Sequence, residues 1–342
     1  MRVGIIGGGF GLSVQAPIIN MHPKMEVSAV STMNRHRMPE EILNWENPPN
    51  HYKSWSEMLE KEEFDLLFVS SLPIYHFEMV IEAVKKGISV VCEKPFTMNS
   101  NESIELLNLS KSYNTKVLID FEWRYLPIRQ KMKELILNNT IGKIIHFEYH
   151  ISSPQYQNLQ SIERGWMGEK QKFGGMLGAV GTHMIDCLRW LVRDEIENIN
   201  GLLHTHVPEG AGELRDADDA FFIHGKMKNN STFSVQLISG INHGFGSNLR
   251  VFGDKGTVTL TNDKQLFFGK VNEQLKEIKI QTKRKVPLHL SEEASAYFPA
   301  FYPFLEKVYD YIVLNRIDKD LPIIEDGHEN QIVIDKILDS LA

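Results

Sequence analysis

The sequence predicts an α/β protein of two domains: an N-terminal doubly wound parallel sheet, then a C-terminal α/β domain on a mainly antiparallel sheet. Three observations predict it. A chain of 342 residues exceeds what one hydrophobic core usually organises. Residues 1–121 alternate short apolar runs with helix-patterned stretches. After Pro127, one helix-like segment gives way to strand candidates that follow one another across turn residues.

In the first domain the strand candidates are Val3–Ile6, Val27–Val30, Leu66–Val69, Ile88–Cys92 and Val117–Ile119. Runs that are apolar throughout, rather than alternating, suit strands covered by helices on both faces. Helices are expected between them, among them Phe77–Lys86, which stops at Gly87, and Ser100–Ser112, which opens at an Asn/Ser cap region. In the second domain strands are expected at Ile144–Ile151, Ala220–Met227, Thr232–Ile238, Asn248–Phe252, Thr257–Leu260 and Gln265–Phe268. Lys228-Asn229-Asn230 and Gly253-Asp254-Lys255-Gly256 supply turns between neighbours. Val180–Val192 carries apolar residues at Val180, Met184, Cys187, Leu188 and Leu191, one stripe of a helix, and Pro303–Asn315 and Glu329–Leu341 also read as helices.

Composition narrows the function classes. A formal net charge of −7 offers no general attraction to phosphate backbones or anionic lipid, so neither nucleic acid nor membrane is an expected partner. No stretch approaches the roughly 20 apolar residues of a membrane span, and Met1–Ile6 enters a strand without a basic leader; a cytoplasmic protein is expected. Cys92 and Cys187 lack metal-ligand spacing and read as small buried hydrophobes. His204 and His206 have no nearby Cys or His to complete a metal set, and Asp216, Asp218 and Asp219 lack the glycine and closing glutamate of a calcium loop, so no metal is expected. None of Ser31, Ser70 and Ser71 is flanked by nucleophile-elbow glycines, which disfavours a serine hydrolase.

Gly7-Gly8-Gly9-Phe10-Gly11-Leu12 follows the first strand and precedes a helix pattern, the setting in which a glycine-rich turn binds a dinucleotide. Gly7 permits a tight turn, Gly9 permits approach to a pyrophosphate, and the helix start offers N–H groups to the anion. Leu12 occupies the third fingerprint position, with Gly11 beside it able to support a variant turn. Where an acidic residue would hold the ribose 2′-hydroxyl of NAD, the second strand ends in Ser31-Thr32-Met33-Asn34-Arg35-His36-Arg37. Ser31 and Thr32 can donate to a 2′-phosphate and Arg35 or Arg37 can pair with it, so NADP is preferred over NAD.

Cys92-Glu93-Lys94-Pro95 closes the fourth strand, and Ser71-Leu72-Pro73-Ile74-Tyr75-His76 follows the third. With the opening glycines, the Gly174-Gly175 turn and Gly181, His183 and Asp186, the chain resembles the glucose-fructose oxidoreductase/inositol dehydrogenase/MocA (Gfo/Idh/MocA) family. The resemblance implies a Rossmann domain at 1–121, and at 122–342 a substrate-binding domain whose large open sheet assembles homodimers or homotetramers. It also implies hydride exchange between a nicotinamide and a hydroxyl-bearing carbon of a sugar, polyol or related small polar substrate.

Carried over to this sequence, the resemblance makes Lys94 the acid/base: a hydride leaves a secondary alcohol only as its hydroxyl proton is taken. Glu93 would hold the lysine and the nicotinamide end, and Pro95 would fix the loop. Ser71, Leu72 and His76 are expected beside the cofactor, His76 alternatively as a cap of the next helix. His183 would contact the reacting oxygen. Many members carry an Asp four residues before this histidine, and here that position is Ala179. Asp186 is a candidate to orient His183 in its place, or a structural helix carboxylate. Arg124, Arg164 and Trp166 are candidates to face the substrate through charge or stacking, Arg124 equally as an interdomain ion pair. Ala179 also keeps open a catalytically silent, cofactor- or sugar-sensing regulatory protein of the same fold.

Overall fold

A computed structural model describes residues 1–33, 35, 37–280 and 284–340. The chain packs as two units, Met1–Tyr125 with Lys283–Gln331, and Leu126–Thr282 with Ile332–Ala342. These units are discontinuous in sequence and so differ from a division at residue 121. The segment 122–125 and the chain from 284 to 331 pack with the N-terminal half.

The first unit holds a six-stranded sheet of β1 (Arg2–Ile6), β2 (Glu26–Ser31), β3 (Asn50–Tyr52), β4 (Leu66–Val69), β5 (Ser89–Cys92) and β6 (Val117–Ile119). All neighbours are parallel, in the order β3-β2-β1-β4-β5-β6. The five apolar runs are all strands; β3, short and at the edge, was not marked by any apolar run. Helices α1 (Ala16–Asn20), α2 (Glu40–Leu43), α3 (Trp55–Lys61), α4 (Pro73–Lys85) and α5 (Ser100–Ser112) connect them. Ser54 caps α3 by accepting from the Glu57 N–H at 3.3 Å, and Asn99 caps α5 by accepting from Glu102 N–H at 3.0 Å. The helix α4 starts four residues before the apolar pattern does, because Pro73 at its first position has its φ already set for a helix.

The second unit is built on an eight-stranded sheet. Its elements are α6 (Pro127–Leu137), β7 (Ile144–Ser152), α7 (Tyr156–Ser161), α8 (Thr182–Val192), β8 (Ile196–His204), a short hairpin of β9 (Glu209–Gly210) and β10 (Glu213–Leu214), β11 (Ala220–Met227), β12 (Thr232–Ile238), β13 (Gly246–Gly253), β14 (Gly256–Thr261), β15 (Gln265–Lys270) and β16 (Lys276–Ile278). Strand order is β16-β15-β14-β13-β7-β12-β11-β8, antiparallel except for β12 beside β7. The strip β8 and the terminal β16 escape a reading by apolar runs, since both are edge strands with mostly exposed side chains.

The chain then forms α9 (Glu292–Leu314) and α10 (Ile324–Asp339). The sequence places the start of α9 at Pro303, eleven residues late. Ser291 caps the true start by accepting from Ala294 N–H at 3.1 Å, and Pro299 and Pro303 lie inside the helix. Each proline removes a hydrogen bond, yet Phe298, Phe301, Phe304, Leu305 and Val308 all bury in the core formed with Val3, Ile5, Val27, Val30, Leu66 and Phe68. That burial outweighs the local propensity. Leu341, expected at the end of α10, lies outside the described residues. Among the described residues, no helix is long and apolar enough to cross a membrane.

Candidate active site

In the first unit, the direction of the connections changes between β1 and β4, and the loops after β1, β4 and β5 leave the same carboxyl edge of the sheet. Open parallel sheets bind their ligands at this place. Gly7 has φ +149°, and a Cβ there would lie 2.2 Å from the Ser70 carbonyl oxygen, so the two loops touch backbone to backbone. A Cβ on Gly9 would meet nothing within 4 Å, which leaves its backbone open to a ligand. A Cβ on Gly11 would lie 2.9 Å from Ile5 Cγ2. Gly11 therefore performs the close helix-to-strand packing of the third fingerprint glycine, one position early. A π-helical turn at Gly11–Gln15 leads into α1 and takes up that extra residue. The residues present fit a dinucleotide. Leu12 contributes its backbone to the turn, its side chain being in the core, and Phe10 stands edge-on against the Tyr297 ring at 4.8 Å.

Two expectations about cofactor choice are corrected. Ser31 and Thr32 are each only 1% exposed, and Thr32 Oγ1 is in a 2.7 Å hydrogen bond with His51 Nε2. Neither hydroxyl is offered to a phosphate from solvent. Arg35 and Arg37 are exposed, and the stem of Arg35 runs beside the glycine turn, its Cδ 3.6 Å from where a Gly8 Cβ would stand.

His76 is fully buried within α4, not at its cap. Its Nδ1 faces the Pro95 carbonyl oxygen at 2.8 Å and its Nε2 the Ser71 carbonyl oxygen at 3.0 Å. Burial holds its pKa below the usual histidine range, partly opposed by these backbone hydrogen bonds. The ring thus braces the loop after β4 against the Glu93-Lys94-Pro95 loop, whose Lys94–Pro95 peptide is cis. Ser71 Oγ donates to the Leu72 carbonyl at 3.3 Å and lies 3.2 Å from Met79 Sδ.

The loop that carries Lys94 is joined through Glu93 to a polar cluster drawn from separate elements, which no linear pattern marks. Gln15 Nε2 donates to Glu93 Oε1 and to Asp120 Oδ2, each at 2.9 Å, while Ser70 Oγ donates to Gln15 Oε1. Glu93 Oε2 accepts from the Lys94 N–H at 3.3 Å. Burial pushes the Glu93 carboxyl up, against the pull of the Lys94 charge. Burial, with the Glu93 and Glu122 charges, pushes Asp120 well above the carboxylate range. The signal available in sequence was a lone carboxylate at the end of an apolar strand, β6. Arg124, a candidate either to face substrate or to form an interdomain ion pair, is buried and ion-paired with Asp326 at 2.9 Å, with a further bond to the Asp320 carbonyl at 3.3 Å. These partners belong to its own unit.

In the second unit, His183 and Asp186 are buried on α8, and a π-helical turn at Leu177–Gly181 precedes it. Trp166 is half-buried in a 3₁₀ turn, Gly165–Gly168, and Arg164 Nη2 reaches Met176 Sδ at 3.7 Å. Three carboxylates fix the loops around these residues. Glu213 accepts from the Arg164 and Gly165 N–H groups at 2.6 and 2.9 Å, Asp216 from Lys170 N–H at 2.8 Å, and Asp218 from Leu177 N–H at 2.9 Å. Gly175, at φ +95°, admits that aspartate: a Cβ would lie 2.2 Å from Asp218 Oδ1. Burial raises Asp218 to about 6. Asp219 accepts from the His206 and Val207 N–H groups and pairs with the His206 ring at 2.8 Å. Among the described residues, no three His, Cys, Asp or Glu side chains converge as metal ligands.

Comparison with known proteins places this geometry. Residues 1–121 match the oxidoreductase family model with an NAD-binding Rossmann fold, and residues 129–259 match the GFO/IDH/MocA C-terminal domain. An uncharacterised oxidoreductase of Synechocystis sp. is 25% identical over 353 residues, spanning 98% of this chain and 92% of the relative. The myo-inositol 2-dehydrogenase of Thermotoga maritima is 26% identical over 78% of this chain and 76% of its own length. Among solved structures, a levoglucosan dehydrogenase in complex with NADH and levoglucosan superposes with a TM-score of 0.83 at 20% identity, over 99% of this chain and 96% of that one. At that identity the likeness is one of fold.

Proposed function

The chain belongs to the Gfo/Idh/MocA family of NAD-binding oxidoreductases, and from that premise we propose that it transfers a hydride between a nicotinamide cofactor and an alcohol or carbonyl carbon of a sugar, polyol or sugar derivative. The observation that carries the reading is Lys94 in the loop leaving the carboxyl end of β5, whose Glu93 is tied by Gln15 to the turn after β1. The named activities of the inositol and levoglucosan relatives support the substrate class.

When bound, the nicotinamide supplies the hydride acceptor or donor at its ring. The chain's own residues do the rest. Lys94 Nζ takes the hydroxyl proton as the alcohol is oxidised and returns it in reduction. The bracing of its loop by His76 and the Glu93 contact to its backbone N–H fix the backbone from which the amine is presented, which narrows where the proton transfer can occur. His183 contacts the reacting oxygen, with the second unit serving as the substrate-binding domain. NADP is the preferred cofactor, through Arg35 and Arg37 rather than the buried hydroxyls. The protein acts in the cytoplasm as a homodimer or homotetramer.

The reading is tested by following NADPH and NADH formation or loss across a panel of aldoses, inositols, anhydrosugars and sugar phosphates. Turnover on at least one is expected, reduced about 10³-fold by Lys94→Ala and about 10²-fold by His183→Ala. Wild-type rates in Lys94→Ala would overturn the assignment.

A further inference from the structure

The Glu93–Asp120–Gln15 cluster carries more than a way of holding Lys94. One amide bridges the two acids, Gln15 Nε2 lying 2.9 Å from both Glu93 Oε1 and Asp120 Oδ2, and Asp120 and Gln15 are 0% exposed. Both hydrogens of the Gln15 amide are spent on the two carboxyls, one on each. The amide cannot turn over, because its oxygen is held by Ser70 Oγ. Two carboxylates bridged by one amide, one of them fully buried and the other half-buried, resist ionising together, which favours a proton on the pair.

Which acid keeps it follows from the partners. Glu93 accepts from Gln15 Nε2 and the Lys94 N–H, and the Lys94 charge favours its ionised form. Asp120 accepts from Gln15 through Oδ2, but its Oδ1 is buried with no hydrogen-bond partner among the described residues. A buried anionic oxygen without a donor is costly, while a protonated one becomes the donor that the site needs. The other ionisable groups around the pair do not reverse this. Cys92 on β5 and Tyr297 on α9 have pKa values raised by burial, Tyr297 to about 12, and the Glu122 charge pushes Asp120 further towards its acid form.

We propose that Asp120 is a positioning residue, a neutral carboxylic acid that donates a hydrogen bond to Glu93 and so keeps Glu93 as the fixed anion beneath Lys94. This rests on the reading of Lys94 as the acid/base. It gives the end of β6 a role in the reaction although Asp120 itself reaches neither substrate nor cofactor. Asp120 would act as a carboxyl that the fold keeps uncharged at neutral pH in order to donate.

The experiment is infrared spectroscopy of the cofactor-free full chain. At pH 7, the wild-type minus Asp120→Asn difference spectrum is expected to show the C=O band of a carboxylic acid, not a carboxylate band. On acidification, Glu93 should take its proton at the same pH in wild type and Asp120→Asn, whose amide replaces the donor. In Asp120→Ala, which removes the donor, it should do so about one pH unit higher. A carboxylate band in the difference spectrum, or an Asp120→Asn shift as large as that of Asp120→Ala, would overturn the proposal. Should Asp120→Ala fail to fold, the Asp120→Asn spectrum alone decides. Because no turnover is read, a failure here is distinct from a failure of Lys94 as acid/base, which the Lys94→Ala rates report.

Discussion

At the scale of single residues, the proposed cofactor choice and chemistry each rest on a few side chains. Arg35 is the exposed cation whose stem lies by the glycine turn, so Arg35→Ala should weaken NADPH about tenfold or more, as expected for losing a charge-assisted bond. NADH should change little. Fluorescence titration with each dinucleotide reads both, and an equal loss for the two would remove Arg35 from the discrimination. At this scale the sequence was half legible. Lys94, His183 and the glycines could be picked out as candidates because they sit in short contiguous motifs with a known backbone setting. Gln15, Ser70 and Asp120 could not, since they are brought together from three separate elements, and a linear pattern holds no record of that convergence. Ser31 and Thr32 were misjudged for the opposite reason: hydroxyls at a strand end look available in sequence, and only packing shows that they are buried.

Among the elements, strands that form the sheet interior were legible almost to the residue, as at Leu66–Val69 and Ala220–Met227, because burial on both faces or on one imposes its own pattern. The edge strands β3, β8 and β16 and the first turns of α9 were not, since their side chains are largely exposed or their prolines argue against a helix. The burial of Phe301 in α9 predicts that Phe301→Ala costs about 3 to 5 kcal/mol, measurable by urea unfolding. A loss below 1 kcal/mol would mean that α9 is not held by its aromatic face. The loop before α8 makes a pH-dependent prediction. Asp218 is raised to about 6 in the fold, above an unfolded value near ~3.9. The native state therefore binds its proton more tightly, and Asp218's contribution to stability falls as pH rises from about 4 to about 6, by up to roughly 3 kcal/mol. Asp218→Asn should lose this part of the pH dependence, so the stability gap between wild type and variant should widen against wild type across that window. A constant gap would contradict it.

For the whole molecule, the family and the two-part architecture were both legible from motifs and element order, whereas the return of the chain at residues 284–331 to the first unit was not. That return depends on tertiary packing of one aromatic helix and of Pro322 and Ile323, which bond to the β6 edge through Ile119 N–H to the Pro322 carbonyl at 3.0 Å and a bridge from Leu118 to Ile323. The proposed chemistry is a hydride transfer in which Lys94 handles the proton. The most direct measurement is mass spectrometry of the product after incubating a carbonyl substrate from the panel with NADPH deuterated at the transferable C4 position. One deuterium should appear on the former carbonyl carbon with wild type, and transfer should fall about 10³-fold with Lys94→Ala. NADPH binding without deuterium transfer to any member of the panel, or undiminished transfer by Lys94→Ala, would contradict the account.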